Sequence, residues 1–144
     1  MEKTNMSPKE IDNAINKESG LLALSRKSSD SRDIEDGIAS GDENCILAQK
    51  MYVRRIVDYI AKYYVEMKGC DAIVFTAGIG ENSISTRSDI IERLAPLGIE
   101  IDPEENNVRG KFKKISSKKS SVDIYVVPTN EELMIAEDTL NLIK

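Results

Sequence analysis

Histidine is absent from this sequence, and cysteine is scarce. The 144 residues contain no histidine, no tryptophan and two cysteines. Without histidine, a Ser–His or Cys–His nucleophile and a histidine-bound zinc ion are excluded within the chain. Two cysteines are too few for a disulfide framework, so Cys45 and Cys70 are predicted to be buried or half-buried free thiols. Free thiols indicate a reducing, cytoplasmic compartment.

The chain also lacks long hydrophobic runs and an excess of positive charge. No apolar stretch approaches the roughly 20 residues that a membrane span needs, so no membrane partner is predicted. The net charge of −5 argues against nucleic acid as a partner, because phosphates attract basic surfaces. Hydrophobic residues make up 40% and charged residues 31% of the chain, which is ordinary for a single domain with a core.

Helical patterns dominate the first half of the chain. The stretch SPKE at 7–10 combines a capping box with a proline in the first turn. Ser29 or Asp30 can cap a helix over about 31–39. Apolar residues then recur at helical spacing, which predicts one long helix over about 42–68.

Two apolar runs rich in β-branched residues predict strands in the second half. The runs at 71–76 and 123–128 are typical of strands buried on both faces of a parallel sheet, and helices follow them, the second over 129–144. Short strands are possible at 99–102 and near Ile115. The fold class is therefore α/β. Ordinary sheets have about four to six strands, so we expect a part of a larger α/β domain whose first strands lie upstream.

The polar stretch TAGIGENSISTR, at 76–87, lies where the first strand meets a helix. Gly78 and Gly80 are expected to allow positive φ and the close approach of a ligand. Asn82 or Ser83 can cap the next helix, whose free N–H groups favour phosphate. The stretch matches neither a Walker A sequence nor the dinucleotide fingerprint. The spacing by itself therefore favours a plain turn over a nucleotide site.

Two further polar segments leave alternatives open. Thr129 and Glu132 fit a T-x-x-E capping box, which leaves Glu131 without a structural role. A free carboxylate at the end of a strand can hold Mg²⁺, although a plain surface glutamate is the simpler interpretation. Asp30 and Arg32 fit a helix start, with contacts to a ribose and a base as the alternative. Turns that follow neighbouring parallel strands face one crevice, so the polar turns at 78–83 and 129–132 are expected to lie side by side.

Three stretches together resemble a known family. VFTAGIGENS…R, with SSDSRDIE upstream and VVPTNEELMIAEDT downstream, is similar to the C-terminal part of acetate kinases from about Ser7 onward. FTAGIGENS is specific to that family and its propionate and butyrate kinase relatives. The resemblance implies a partial RNase H-like domain of the actin-like ATPase superfamily, with a short, mostly parallel sheet flanked by helices. It implies that residues 1–144 are a C-terminal nucleotide-binding portion, without the N-terminal domain and first strands.

The resemblance also implies a reaction and its site. Members of the family transfer the γ-phosphoryl of ATP reversibly to acetate, giving acetyl phosphate and ADP, with Mg²⁺ and as homodimers. The partners implied are ATP or ADP, a short-chain carboxylate, and a second copy or other self-association. The metal ligand implied is Glu131. The nucleotide-binding residues implied are Asp30, Ser31, Arg32, Gly78, Ile79, Gly80, Glu81 and Asn82.

No catalytic residue is implied within this chain, because the family's substrate arginines, transition-state histidine and catalytic aspartate lie upstream. The chain alone is therefore expected to bind nucleotide without turnover. The family usually has a bulky residue at the position of Ser31. The small serine should therefore pack less well on the base. Two alternatives remain: a fragment of a propionate or butyrate kinase, or a truncated, non-catalytic module for nucleotide binding or for dimerisation through the helix at 42–68.

Overall fold

The computed structural model describes residues 5–143, which divide into two compact units, one up to Ile60 and one from Ala61 onward. The first unit is helical, and the second contains the sheet. The helices that begin in the first unit are α1 (Pro8–Asn16), α2 (Gly20–Ser25), α3 (Ser31–Ala39) and α4 (Glu43–Glu66).

Local capping signals set the ends of the helices in the first unit. The Ser7 Oγ accepts a hydrogen bond from the Glu10 N–H, and the Glu10 carboxylate accepts one from the Ser7 N–H, so the predicted capping box is confirmed. The predicted long helix is confirmed as α4, and Gly69 follows it with a φ of 110°. The buried residues of α4 are Cys45, Ala48, Gln49 and Val53, all towards its start. Both cysteines are free, as predicted.

The second unit is built on a three-stranded sheet. Its strands are β1 (Ala72–Phe75), β2 (Lys113–Lys114) and β3 (Asp123–Val126), in the order β1-β3-β2. The strands β1 and β3 are parallel neighbours, as predicted, whereas β2 is antiparallel to β3, so the sheet is mixed. The stretch at 99–102 forms a single bridge, between Ile101 and Ser116, rather than a strand.

The prediction that both strands are buried on two faces is wrong within the described part of the chain. Ile124 and Val126 are fully buried on β3, but Asp123 and Tyr125 between them are only half-buried. On β1, Val74 is 52% exposed. Within β3, buried and half-buried residues alternate, which is the pattern of a strand with one face in the core. One face of the sheet is therefore in the core, and the other faces outward.

Helices and a short turn complete the second unit: α5 (Ala77–Asn82), α6 (Ile84–Leu94), a 3₁₀ turn (Ala95–Leu97) and α7 (Glu131–Leu142). The buried apolar side chains of this unit are Phe75, Ile90, Ile91, Leu94, Ile99, Ile115, Val122, Ile124 and Val126. In α7, by contrast, every described residue is exposed, and the end predicted at Lys144 lies outside the described residues. Across residues 5–143, no helix is both long and apolar enough to cross a membrane.

Candidate nucleotide site

The polar segment in the first unit is a capped helix start. Asp30 is the N-cap of α3, and its Oδ1 accepts a hydrogen bond of 2.9 Å from the Arg32 N–H. The Arg32 guanidinium also donates to the Asp30 carboxylate, at 2.6 Å between Nη2 and Oδ2. These bonds to Arg32 lower the pKa of Asp30 to about 2. Ser31 is the first residue of α3 and is half-buried.

The Arg32–Asp30 ion pair lies on the surface and can open at low cost. The Arg32 side chain is 85% exposed and the Asp30 side chain 40% exposed. Exposed ion pairs contribute little to stability, because water screens the two charges. The guanidinium is therefore available to stack on a flat ligand, while the cap on the backbone keeps Asp30 in place.

The glycine-rich stretch after β1 is the short helix α5 rather than an open loop, and its glycines do not have positive φ. The positive φ falls on Ala77, at 59°, where the chain turns after the extended Thr76. A Cβ on Gly80 would lie 3.2 Å from the backbone carbon of Phe75, so Gly80 permits close packing of α5 on β1. A Cβ on Gly78 would meet nothing within 4 Å, which leaves its side open to a ligand.

Three consecutive carbonyl groups at the end of α5 accept hydrogen bonds from distant residues. The Gly80 carbonyl accepts from Arg87 Nη1 at 2.8 Å, the Glu81 carbonyl from the Gly110 N–H at 3.3 Å, and the Asn82 carbonyl from Arg109. The C-terminal carbonyls of a helix carry a partial negative charge, so the two arginines are favourably placed there. The backbone of this turn is therefore held from outside the helix.

Of the two residues predicted to cap the next helix, Ser83 does so. Its Oγ accepts a hydrogen bond of 3.2 Å from the Thr86 N–H at the start of α6. The Asn82 side chain instead donates to the Gly78 carbonyl within α5, at 2.9 Å. The Asn82 side chain therefore stabilises α5 from within instead of capping α6.

Arg87 is fully buried beneath this turn. Its Nε donates to Asn106 Oδ1 at 2.8 Å, and its Nη2 donates to the carbonyls of Asn106 and Val108. Within residues 5–143 no carboxylate forms an ion pair with it, and burial lowers the pKa of the guanidinium. Asn106 is 1% exposed and donates in turn to the Ile84 carbonyl and the Ser88 hydroxyl. Sequence reasoning missed Asn106, which lies in a polar stretch without a motif.

Glu81, predicted to contact nucleotide, turns its side chain inward. It is 9% exposed, and its Oε1 accepts hydrogen bonds from the N–H and the hydroxyl of Thr129, at 2.8 and 2.9 Å. These bonds lower the pKa of the carboxyl group, the bond from the Thr129 N–H most. The predicted capping box of Thr129 with Glu132 is therefore wrong. Thr129 is engaged by the carboxylate, and Asn130 caps α7 by accepting from the Leu133 N–H.

Glu131 is the first residue of α7 and is exposed. Neither the Glu131 side chain nor the Glu132 side chain forms a hydrogen bond or an ion pair with another residue in the range 5–143. The same range contains no cluster of three His, Cys, Asp or Glu residues that could hold a metal ion by itself. Protein sites for Mg²⁺ commonly use one or two carboxylates with substrate phosphates and water, and a single free carboxylate fits that pattern.

Within the second unit, the two polar turns lie at the same edge of the sheet. The strands β1 and β3 run in parallel, and the Val127 N–H donates to the Phe75 carbonyl just past their ends. The contact between Glu81 and Thr129 then joins α5 to the residues before α7. This is the crevice edge at which α/β proteins bind ligands. The segment from Asp30 to Arg32 belongs to the first unit.

Comparison with known proteins decides the family. The model of the Acetokinase family matches residues 1–137. The chain belongs to that family. It is 47% identical to the acetate kinase of Halothermothrix orenii over 144 residues, which is 100% of this chain and 36% of that protein. It is 51% identical to the acetate kinase of Aster yellows witches'-broom phytoplasma over 98% of this chain and 34% of that protein.

Solved structures of the acetokinase family agree with the fold. The Porphyromonas gingivalis acetate kinase matches with a TM-score of 0.89 and 43% identity, over 100% of this chain and 36% of that one. A propionate kinase from Francisella tularensis matches with a TM-score of 0.85 and 40% identity, over 94% of this chain and 34% of that one. This acetokinase-family chain thus spans about a third of the length of the relatives it matches.

The contacts of Arg87 predict a large effect on stability. Arg87→Met should lower the free energy of unfolding by about 3 kcal/mol or more, because it leaves buried carbonyl groups without donors. Arg87→Lys keeps the charge but cannot reach the same set of carbonyls, so its loss should be intermediate. Urea unfolding measures both variants. A Met variant as stable as the wild type would contradict the structural role given to the guanidinium.

The lowered pKa of Glu81 predicts a pH dependence. The ionised carboxylate stabilises the fold above its ordinary pKa of 4.5, and this contribution is lost as the pH falls from there through the lower folded pKa. In Glu81→Gln, stability should therefore decline less steeply below pH 4.5 than in the wild type. Thermal unfolding across this range is the measurement, with Glu132→Gln as the control that should follow the wild type.

Proposed function

We propose that this chain is the C-terminal, nucleotide-binding portion of an acetate kinase. The full enzyme would transfer the γ-phosphoryl of ATP reversibly to acetate, giving acetyl phosphate and ADP. Beyond membership of the family, the supporting observation is the pair of polar turns tied together at the carboxyl ends of β1 and β3. Ligands of α/β sheets bind at that edge.

The proposed nucleotide contacts divide between two segments. In the first unit, the Arg32 guanidinium would stack on the base and Asp30 would accept from the ribose, with Ser31 beside them. In the second unit, α5 would contribute backbone along the open side of Gly78, where a Cβ would meet no atom within 4 Å. The contacts from this turn are assigned to Gly78, Ile79, Gly80, Glu81 and Asn82. Glu81 would contribute through its backbone, because its side chain is engaged by Thr129.

Glu131 is the proposed magnesium ligand. Its carboxylate is exposed at the start of α7 and is free of partners among residues 5–143. Bound with the nucleotide, Mg²⁺ would supply charge neutralisation at the phosphates, which phosphoryl transfer requires. The chain's own part is to hold that carboxylate at the edge from which α5 also projects.

The remaining parts of the activity are assigned to the rest of a longer enzyme. The sequence has no histidine, so a histidine that acts in the transition state would have to come from elsewhere. We therefore propose that this chain alone binds ATP or ADP without turnover, and that the full enzyme is a cytoplasmic homodimer using a short-chain carboxylate. A propionate kinase is the second candidate, because the Francisella tularensis structure matches at 40% identity.

The role of Arg32 is tested by calorimetric titration with ADP and Mg²⁺. Arg32→Ala should raise the Kd about fivefold to tenfold, the usual size of a lost stacking or cation contact. Arg54→Ala is a matched control, because Arg54 forms a similarly exposed ion pair with Asp58. The control should bind as the wild type does. Equal Kd values for Arg32→Ala and the wild type would remove Arg32 from the site.

The role of Glu131 is tested by the same titration with and without Mg²⁺. Glu131→Gln should abolish most of the gain in ADP affinity that Mg²⁺ gives, while affinity without the metal stays near that of the wild type, because only a metal ligand is lost. Glu132→Gln, one residue along α7, should keep the full gain. If the two variants behave alike, the metal is not held by Glu131.

A further inference from the structure

The side chain of Glu81 directly joins the two turns assigned to nucleotide and metal. Its Oε1 accepts hydrogen bonds from the N–H and the hydroxyl of Thr129, at 2.8 and 2.9 Å, although the two residues are 48 positions apart in the sequence. Thr129 stands two residues before Glu131, with the helix cap Asn130 between them. A shift of this contact would therefore move the first turn of α7 relative to α5.

The chemistry of this contact suits positioning better than binding. A carboxylate that accepts two hydrogen bonds from one residue is held in a fixed orientation, and bonds to a charged acceptor are stronger than neutral ones. The same carboxylate directed at a phosphate would repel it. Glu81 is 9% exposed, which also keeps its charge away from a ligand on the open side of Gly78.

We infer that Glu81 is a positioning residue, whose contact with Thr129 fixes the carboxylate of Glu131 relative to the glycine turn and so couples magnesium binding to nucleotide binding. This inference rests on the proposed function. It assigns the side chain of Glu81 to the relation between the two ligands, while the backbone of Glu81 keeps its proposed contact with the nucleotide.

The coupling is measured by the ratio of the Kd for ADP without Mg²⁺ to the Kd with Mg²⁺. Thr129→Val removes the hydroxyl and should raise the Kd with Mg²⁺ about tenfold, the usual effect of losing a hydrogen bond to a charged group, with a smaller change without the metal. The ratio should therefore fall towards one. Thr129→Ser keeps the hydroxyl and should restore the ratio to within about twofold of the wild type.

The matched control is Thr139→Val, the same chemical change on α7. The Thr139 hydroxyl also donates to an oxygen, the Ile135 carbonyl, at 2.7 Å, but it lies away from Glu81 along the helix. This variant should keep the ratio of the wild type. A Thr129→Val variant with an unchanged ratio, or with the same rise in Kd with and without Mg²⁺, would overturn the coupling, because a merely structural role changes both constants alike.

Two further measurements keep the test decisive. If Thr129→Val fails to fold, Glu81→Asp replaces it, because it keeps the charge and draws the acceptor away from Thr129; the same fall in ratio is expected. If the wild type binds no ADP, the proposed function fails. Amide hydrogen exchange without ligand then tests the contact itself: Thr129→Val, and not Thr139→Val, should speed exchange in residues 77–82, and unchanged exchange there would overturn it.

Discussion

The buried guanidinium of Arg87 is the interaction on which the candidate site depends. Burying a charge without a counter-ion is costly, and the cost is met only when hydrogen bonds surround the charge. Arg87 has them, because its bonds go to the carbonyls of Gly80, Asn106 and Val108 and to the Asn106 side chain. The residues that accept hydrogen bonds from the guanidinium are also the residues whose backbone it holds in place.

The helix α5 explains why such an arrangement is needed. It has six residues, and isolated helices much shorter than about 12 residues are unstable in water. Two of its residues are glycines, which disfavour helix further. Its backbone is held instead by donors from Arg87, Arg109 and Gly110, which reach the last three carbonyls. Donors from outside α5 therefore hold its backbone where the helix propensity of its own sequence is weak.

The features predicted from the sequence are those with a local cause. The cap at Asp30, the long helix α4 and the separate strands β1 and β3 each follow from residues within a few positions of one another. The contact of Glu81 with Thr129 leaves no such signal, because its partners are 48 positions apart. For the same reason the predicted capping box of Thr129 and Glu132 is wrong. The local pattern is present, but the Thr129 hydroxyl donates to the distant Glu81 carboxylate instead.

The placement of the positive φ was also beyond local reasoning. Glycine is the residue that tolerates this conformation best, so Gly78 and Gly80 were the natural expectation. The turn falls on Ala77 because α5 begins directly after the extended Thr76, and Gly80 is needed where α5 passes the Phe75 backbone. Gly80 thus allows α5 to pass close to β1, whereas Gly78 faces open space.

The surroundings of α7 give the contact between Glu81 and Thr129 its importance. No described residue of α7 is buried, so apolar packing within residues 5–143 contributes little to fixing the helix. What fixes its start is polar: the Asn130 cap and the two bonds from Thr129 to Glu81. Directional bonds of this kind define position more sharply than their net contribution to stability suggests, because an alternative placement leaves a buried carboxylate unpaired. The position of Glu131 therefore depends on Glu81, a residue outside its own helix, as well as on the Asn130 cap.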